Sequence, residues 1–536
     1  MTRSLDFDAR IGQGHRVPGT GGFARFMPAF DNVGRTFEAV PPLAWIGANP
    51  RAAFAVFCLV HIAIWTLVPT ILYPNLPLDL IEARTYGPEW QLGYDKLPPM
   101  PWWMVEVMHR LVGADWSYYL LSQIVVIAAF AIVWLAALPL VGAGGALASV
   151  LIVDGLHYFN FTAAKFNHDV VQLPFWALAG FAFHRALREG RLAFWALLGA
   201  ALGLAFWAKY FIVMLAVPMA AFVLIDPVAR RALRTPGPYI AIAVGVLVAL
   251  PHLIWLIAND FLPLTYAQAR LAPARGALDH LTRPLIFVIG QLFWLIPSAL
   301  IALPLVYPRN DSPAPPADPR DRKIIALIVF GPALLLIAGG VVSGDRLITM
   351  WGYPFWLFLG LWLVMRARTP PDRPRLARIS ATWAIVTLAY VLAFVVDYAV
   401  LPFVGTRYYR ASLFPGDRLA AEISDRFRAA TGTPLRYVIS DMWLGGNIHH
   451  YGSTHPLTVI DGKFARAPWI DPGDVRTRGA AVVWTGDDRT NLPEPYAAIA
   501  DGAQVQAPLD LPMRWGRGTV KVGWAILPPG RSRPPP

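Results

Sequence analysis

Eleven apolar runs decide what this chain can fold into. They fall at 52–73, 117–138, 141–160, 168–187, 192–208, 210–225, 238–257, 284–306, 324–342, 351–365 and 379–402, each at or near the ~20 residues that cross a bilayer. The pattern is that of a polytopic α-helical membrane protein with about 11 transmembrane helices. Composition agrees, since 56% of residues are hydrophobic against roughly 45–50% in soluble domains. The one cysteine, Cys58, lies in the first run, so no intrachain disulfide forms.

The loops give the orientation. Basic residues gather at Arg185, Arg188 and Arg191, at Arg230, Arg231 and Arg234, at Arg309, Arg320, Arg322 and Lys323, and from Arg366 to Arg378. With eleven crossings and a cytoplasmic N-terminal tail over 1–50, all four loops face the cytoplasm, as the positive-inside rule requires. Topology therefore accounts for the net charge of +12, and no nucleic acid partner is implied. The membrane part is expected over 51–402, with its first outer loop at 74–116. Residues 403–536 then lie outside.

That outer loop is the most unusual stretch. From Leu76 to Leu111 it carries Asp79, Glu82, Glu89, Asp95 and Glu106 beside Trp90, Trp102 and Trp103, in a chain only 15% charged. Asp79, Glu82, Tyr86 and Glu89 are spaced for one face of a helix starting near Pro77. The other outward connections hold Lys165, His168 and Asp169, then Lys209, then Arg270 and Arg275, then Asp345 and Arg346. Charge near lipid is costly, so titratable groups converging on one face mark a candidate site. After Leu401 the pattern changes. PGDRLAAEISDRFRAATG reads as an amphipathic helix closed by Gly432. LRYVIS, PLTVID, AAVVWT and TVKVGWAIL read as strands of a small α/β domain. His449, His450 and His455 are read there as polar loop residues rather than a metal site.

The first outer loop resembles glycosyltransferase family 39, which has the multi-spanning GT-C fold. The likeness rests on Asp79 and Glu82 in PLDLIEA, on GYDKLPPMPWW from Gly93 to Trp103, on FNHDVVQLPFWAL with Asn167, His168 and Asp169, and on GLAFWAKYF with Lys209 and Tyr210. Two departures stand out: Leu80 and Ile81 separate the two carboxylates, and Leu97, not Lys or His, precedes the paired prolines. The family includes protein O-mannosyltransferases and enzymes that modify lipid A; the whole-chain look is most similar to bacterial members that decorate lipopolysaccharide, galacturonosyltransferases among them.

The resemblance implies a polyprenyl-phosphate-linked sugar as donor and a glycolipid or other envelope glycan as acceptor. It places the protein in a bacterial inner membrane, with its site on the periplasmic side. An outward carboxylate takes the proton of the acceptor hydroxyl during an inverting displacement, so Asp79 is expected as general base with Glu82 as helper. The departing lipid phosphate needs cations at headgroup depth. Lys209, Arg270, Arg275 and Arg346 are the candidates, and no metal or other cofactor is required. Tyr86, Trp90, Lys96, Trp102, Trp103, Asn167, His168, Asp169 and Tyr210 are expected to line the substrate cleft. The competing readings are a protein O-mannosyltransferase and a transporter or flippase of lipid-linked saccharide, and Asp154, His157 and His252, in or near apolar runs, give the latter some support.

Overall fold

Helices that cross lipid must be long and apolar, and among the described residues six meet both conditions: Pro50–Leu72, Trp116–Asp154, Gly237–Ala258, Asp279–Leu305, Pro319–Ser343 and Arg373–Val404. Leu192–Ala208 and Tyr210–Ile225 are shorter apolar helices beside them. The computed structural model describes residues 40–270, 273–306, 317–367, 371–404 and 410–530, the side chains of residues 269 and 270 excepted. Of the expected tail over 1–50, residues 1–39 lie outside the described residues; in its last part Pro41–Ala48 is helical and sits against the segment beginning at Arg373.

The eleven runs do not map one for one onto long spans. Two of them belong to the single stretch Trp116–Asp154, which is interrupted at Gly142, where φ is 68°. Gln123 and Asp154 flank that break and both reach His61, at 3.1 Å each, so the chain doubles back there. The run at 351–365 is helical in its main part only over Leu359–Arg366, after a 3₁₀ turn at Thr349–Gly352.

Packing inside the bundle uses small residues. A Cβ on Gly199 would come within 2.2 Å of the Ala241 carbonyl, and one on Gly203 within 2.8 Å of the Gly245 carbonyl. Helices Leu192–Ala208 and Gly237–Ala258 therefore touch backbone to backbone, a contact that lipid-embedded helices favour. The polar groups within the runs are tied to fixed neighbours. Asp154 accepts from Trp383 Nε1 at 2.7 Å besides pairing with His61, His252 bonds Tyr210 and the Leu92 carbonyl, and His157 stacks on Trp294 with centroids 3.5 Å apart.

The basic loops meet at one end of the bundle. Arg188 pairs with Asp318 at 2.8 Å and Asp321 at 3.0 Å, and Lys323 pairs with Asp226. At the other end, residues 74–115 meet the C-terminal part of the chain. That part contains a sheet of six strands, β1 (Tyr437–Ser440), β2 (Leu457–Ile460), β3 (Ala480–Trp484), β4 (Gln504–Val505), β5 (Leu509–Pro512) and β6 (Thr519–Leu527). The order is β2-β1-β3-β6-β4, with β5 also on β6; β1 is parallel to both neighbours, and β6 is antiparallel to all of its own. Strand alternation divides the core. Val438, Ala481 and Trp524 face helix Gly416–Thr431 through Leu419, Ile423 and Phe427, while Ile439, Val482 and Ala525 face Val475 of helix Pro472–Arg478. Gly432 closes the first helix at φ 71°, a conformation glycine adopts freely.

The histidines differ from expectation. His449 and His450 lie on helix Met442–Tyr451, not in a loop, because Asp441 caps that helix by accepting from Trp443 and Leu444. His449 is buried against the Pro456 carbonyl, and His450 reaches Asp115 of the first loop at 3.0 Å.

Burial pushes the His449 imidazole from its ordinary 6.5 down to about 3. The folded protein thus refuses a proton that the unfolded chain accepts. This contribution is fully present above pH 6.5 and is lost as pH falls toward 3, at up to about 1.4 kcal/mol per unit. Thermal unfolding midpoints should fall between pH 6.5 and 4.5 in the wild type and less steeply in His449→Gln; equal slopes would refute the assignment.

Candidate active site

Pro77 ends the extended entry to the first loop and starts helix Leu78–Tyr86, with Asp79 in its first turn. Asp79 and Glu82, three residues apart, then point into one cavity of about 460 Å³. Lys96, Trp102, Asn167, His168, Asp169, Lys209 and Tyr210 reach the same cavity from four further segments. Glu89 does not share that face, because the helix tightens into a 3₁₀ turn at Gly87–Glu89. It is half-buried near Glu106 instead, and burial with that second carboxylate raises its pKa to about 7.

The cavity's carboxylates are held in three different ways. Glu82 accepts two bonds from Lys96 Nζ, at 2.6 and 2.8 Å. Burial pushes its carboxyl above the usual range and the Lys96 ammonium draws it back. Asp169 accepts from Lys209 Nζ at 2.5 Å and from Gln172 Nε2 at 3.2 Å. Asp79 accepts from Asn167 Nδ2 at 2.9 Å and, among the described residues, has no cation at ion-pair distance. Asn167 is the N-cap of helix His168–Glu189: its Oδ1 accepts from the backbone N–H of Asp169 and Val170, at 3.0 and 3.2 Å. With Oδ1 so engaged, the amide must present its NH₂ to Asp79. Lys209 joins the group because helix Leu192–Ala208 stops there, with Lys209 extended at φ −165° before the turn Tyr210–Ile212.

The aromatic residues divide. Trp102 and Tyr210 line the cavity, whereas Tyr86 stacks behind Trp102 at 4.4 Å and donates to Asp95 at 2.7 Å. Trp90 and Trp103 lie outside it, stacked on each other at 6.2 Å, with Arg110 over Trp90. Arg275 and Arg346 are exposed and do not line the cavity, while Arg270 ends helix Leu262–Arg270 and its side chain is outside the described set. Sequence reasoning missed Tyr266, whose ring lies 5.6 Å from Lys96 Nζ, and Trp351. Tyr266 sits four residues before Arg270 on the same helix, which was the available signal. Trp351 was hidden at the start of a run read as lipid-spanning. Among the described residues, no group of three or more His, Cys, Asp or Glu is arranged to hold a metal ion.

Residues 96–255 match the family model described as dolichyl-phosphate-mannose-protein mannosyltransferase. The lipid A galacturonosyltransferase RgtD of Rhizobium johnstonii is 30% identical over 182 residues, which make up 33% of this chain and 37% of that protein. The lipopolysaccharide core galacturonosyltransferase RgtA of the same organism is 24% identical over 487 residues, 86% of this chain and 94% of that protein. In fold the chain is similar to ArnT from Cupriavidus metallidurans, solved bound to undecaprenyl phosphate, with a TM-score of 0.59 at 14% identity over 89% of this chain and 97% of that one. The matched stretch runs from Lys96 through Asn167, Asp169 and Lys209, and in that stretch and in fold the chain is similar to GT-C membrane glycosyltransferases of the family 39 type.

Proposed function

We propose that the chain transfers a sugar, of galacturonosyl type, from a polyprenyl phosphate to a hydroxyl of lipid A or the lipopolysaccharide core at the periplasmic face of a bacterial inner membrane. The observation that carries this reading is the cavity's charge pattern: two carboxylates neutralised by lysines and a third, Asp79, that among the described residues is held by an amide. A carboxylate held by a neutral amide and not paired to an ammonium has oxygen lone pairs open to a hydroxyl proton, as a general base requires. The acceptor oxygen attacks the anomeric carbon as its proton passes to Asp79. The bond from that carbon to the phosphate oxygen breaks, and the electron pair leaves with the lipid phosphate. Lys209 is positioned to receive this charge, with Asp169 holding the ammonium before the donor arrives. Glu82 and Lys96 neutralise each other beside the base, and Trp102, Tyr210 and Tyr266 offer surface to sugar rings. Arg346 lies two residues before Ile348, which lines the cavity, and so belongs to its rim in this reading.

The named activities of the two galacturonosyltransferase relatives and the lipid phosphate held by the ArnT structure support the choice of sugar, acceptor and donor. Orientation is supported by the basic loops gathered at the end opposite the cavity.

Three outcomes are expected from the purified protein in liposomes with lipid A or core acceptor. Asp79→Asn should lose ~10²–10⁴-fold in turnover with an unchanged unfolding midpoint; near-normal turnover would remove the base. Asn167→Ala, which frees Asp79 and uncaps a helix, should cost about 1 kcal/mol of stability and at least ~10-fold in kcat, and normal kcat would show that the amide does not orient the base. Lys209→Ala should raise the donor KM by ~10–100-fold, equivalent to ~1.5–3 kcal/mol of charge-assisted bonding, and leave acceptor KM nearly unchanged. Transfer from a nucleotide sugar with no lipid-linked sugar present would overturn the donor assignment.

A further inference from the structure

The C-terminal part of the chain is built onto the loop that carries Asp79 and Glu82. Helix Met442–Tyr451 lies on helix Leu78–Tyr86 so closely that a Cβ on Gly446 would come within 2.6 Å of both Ile81 Cγ2 and Thr85 Oγ1. The Tyr451 hydroxyl accepts from the Leu76 backbone N–H at 2.9 Å. Beyond this contact Arg466, from the turn Phe464–Arg466, reaches the Gly93–Pro99 segment. Its Nε donates to Asp95 Oδ2 at 2.5 Å, its guanidinium also pairs with Asp461, and its Nη2 lies 3.5 Å from the Tyr86 hydroxyl. Tyr86 in turn donates to Asp95 Oδ1 at 2.7 Å. Both oxygens of Asp95 are therefore engaged, and Trp469 closes the group edge-on against Tyr86 and Tyr94, at 6.0 and 5.9 Å.

Asp95 immediately precedes Lys96, the residue that grips Glu82 through both carboxylate oxygens. Tyr86 lies one helical turn beyond Glu82 and backs Trp102, which lines the cavity. Arg466 thus touches neither Glu82 nor the cavity, but the two groups it holds flank the Glu82–Lys96 pair in sequence. The Asp95 side chain is only 10% exposed, and a carboxylate so buried is costly without its cation.

Resting on the transferase reading above, we propose that Arg466 is a positioning residue that fixes Asp95 and, through it, the Lys96–Glu82 pair beside Asp79, so that the C-terminal part braces the catalytic loop. The brace acts on geometry and not on affinity. A shift of about 1 Å near reacting groups costs up to ~10²-fold in rate, whereas the lipid anchor and the remaining contacts still bind substrate.

The test uses the full chain in liposomes with a polyprenyl-phosphate sugar and lipid A or core acceptor. Arg466→Gln should lower kcat per folded molecule by ~10–100-fold, with the folded fraction read from thermal unfolding of the same sample, and leave both KM values within about threefold. Arg466→Lys should recover part of the loss. Asp95→Asn should match Arg466→Gln, and the double variant should be no slower than either single, because both act through one contact. Arg426→Gln, in an exposed pair with Glu422 of the same region, should match the wild type. Wild-type kcat in Arg466→Gln, or losses that add in the double variant, would overturn the brace. If Arg466→Gln does not fold, Asp95→Asn decides, and wild-type kcat there overturns it equally. A wild type that is silent with the lipid donor takes down the proposed function and the brace together, whereas an active wild type with an indifferent Arg466→Gln takes down the brace alone.

Discussion

A charge at the edge of a bilayer must find a partner or be neutralised, and this constraint organises the end of the bundle that holds the cavity. Arg84 is buried against Glu106, and the partly buried Lys96, Lys209 and Arg466 pair with Glu82, Asp169 and Asp95. Each pair joins two segments of chain, so satisfying the charges and assembling the site are one event. Asp79 departs from the pattern: its described partner is an amide, and the amide is itself fixed by capping a helix. A neutral donor orients a carboxylate at less cost to its basicity than a lysine would. The exception therefore falls where a base is most useful.

The same constraint governs the lipid-facing part by other means. His61, Gln123, Asp154 and Trp383 come from three helical stretches and bond one another. They replace water that the surrounding helices exclude, and they pin the doubled-back stretch Trp116–Asp154 to its neighbours. Where no polar group is available, close backbone approach does the work, as at Gly199 against Ala241. The fixed frame that results holds Asn167, Asp169 and Lys209, all of which stand at helix ends.

Much of this was legible in the sequence for identifiable reasons. Helix Leu78–Tyr86 and strand β6 were readable because period and punctuation agree locally, at Pro77 for the first and over TVKVGWAIL for the second. Asp79, Glu82, Asn167, Asp169 and Lys209 stood out as polar residues beside long apolar runs. Other features needed the fold. Glu89 left the expected face because a helix can tighten over its last turn. The histidines at 449 and 450 became helical because Asp441 caps them, a role not distinguishable from a loop aspartate in one dimension. The crossing count was blurred at the run 351–365, since apolar residues alone do not record where a helix starts. Arg466 meets Asp95 across 371 positions, and no local pattern announces such a contact.

Asn167 and Asp169, in the first turn of one helix, show how tightly the site is wired. Asn167 orients Asp79 through its NH₂ while its oxygen accepts the Asp169 backbone N–H, and the Asp169 side chain holds Lys209. In the reaction proposed, the base and the phosphate-binding cation thus hang from the first turn of one helix, and their separation is set by backbone geometry rather than by flexible side chains alone. The positive end of that helix lies at the same point, which favours an anion near Asp169 and Lys209. A donor phosphate arriving at Lys209 adds a negative charge, which the ammonium and the helix N-terminus both favour. In that reading Asn167 keeps its cap on the helix while the phosphate binds, so Asp79 stays in place on the opposite side of the reacting carbon, as an in-line displacement requires.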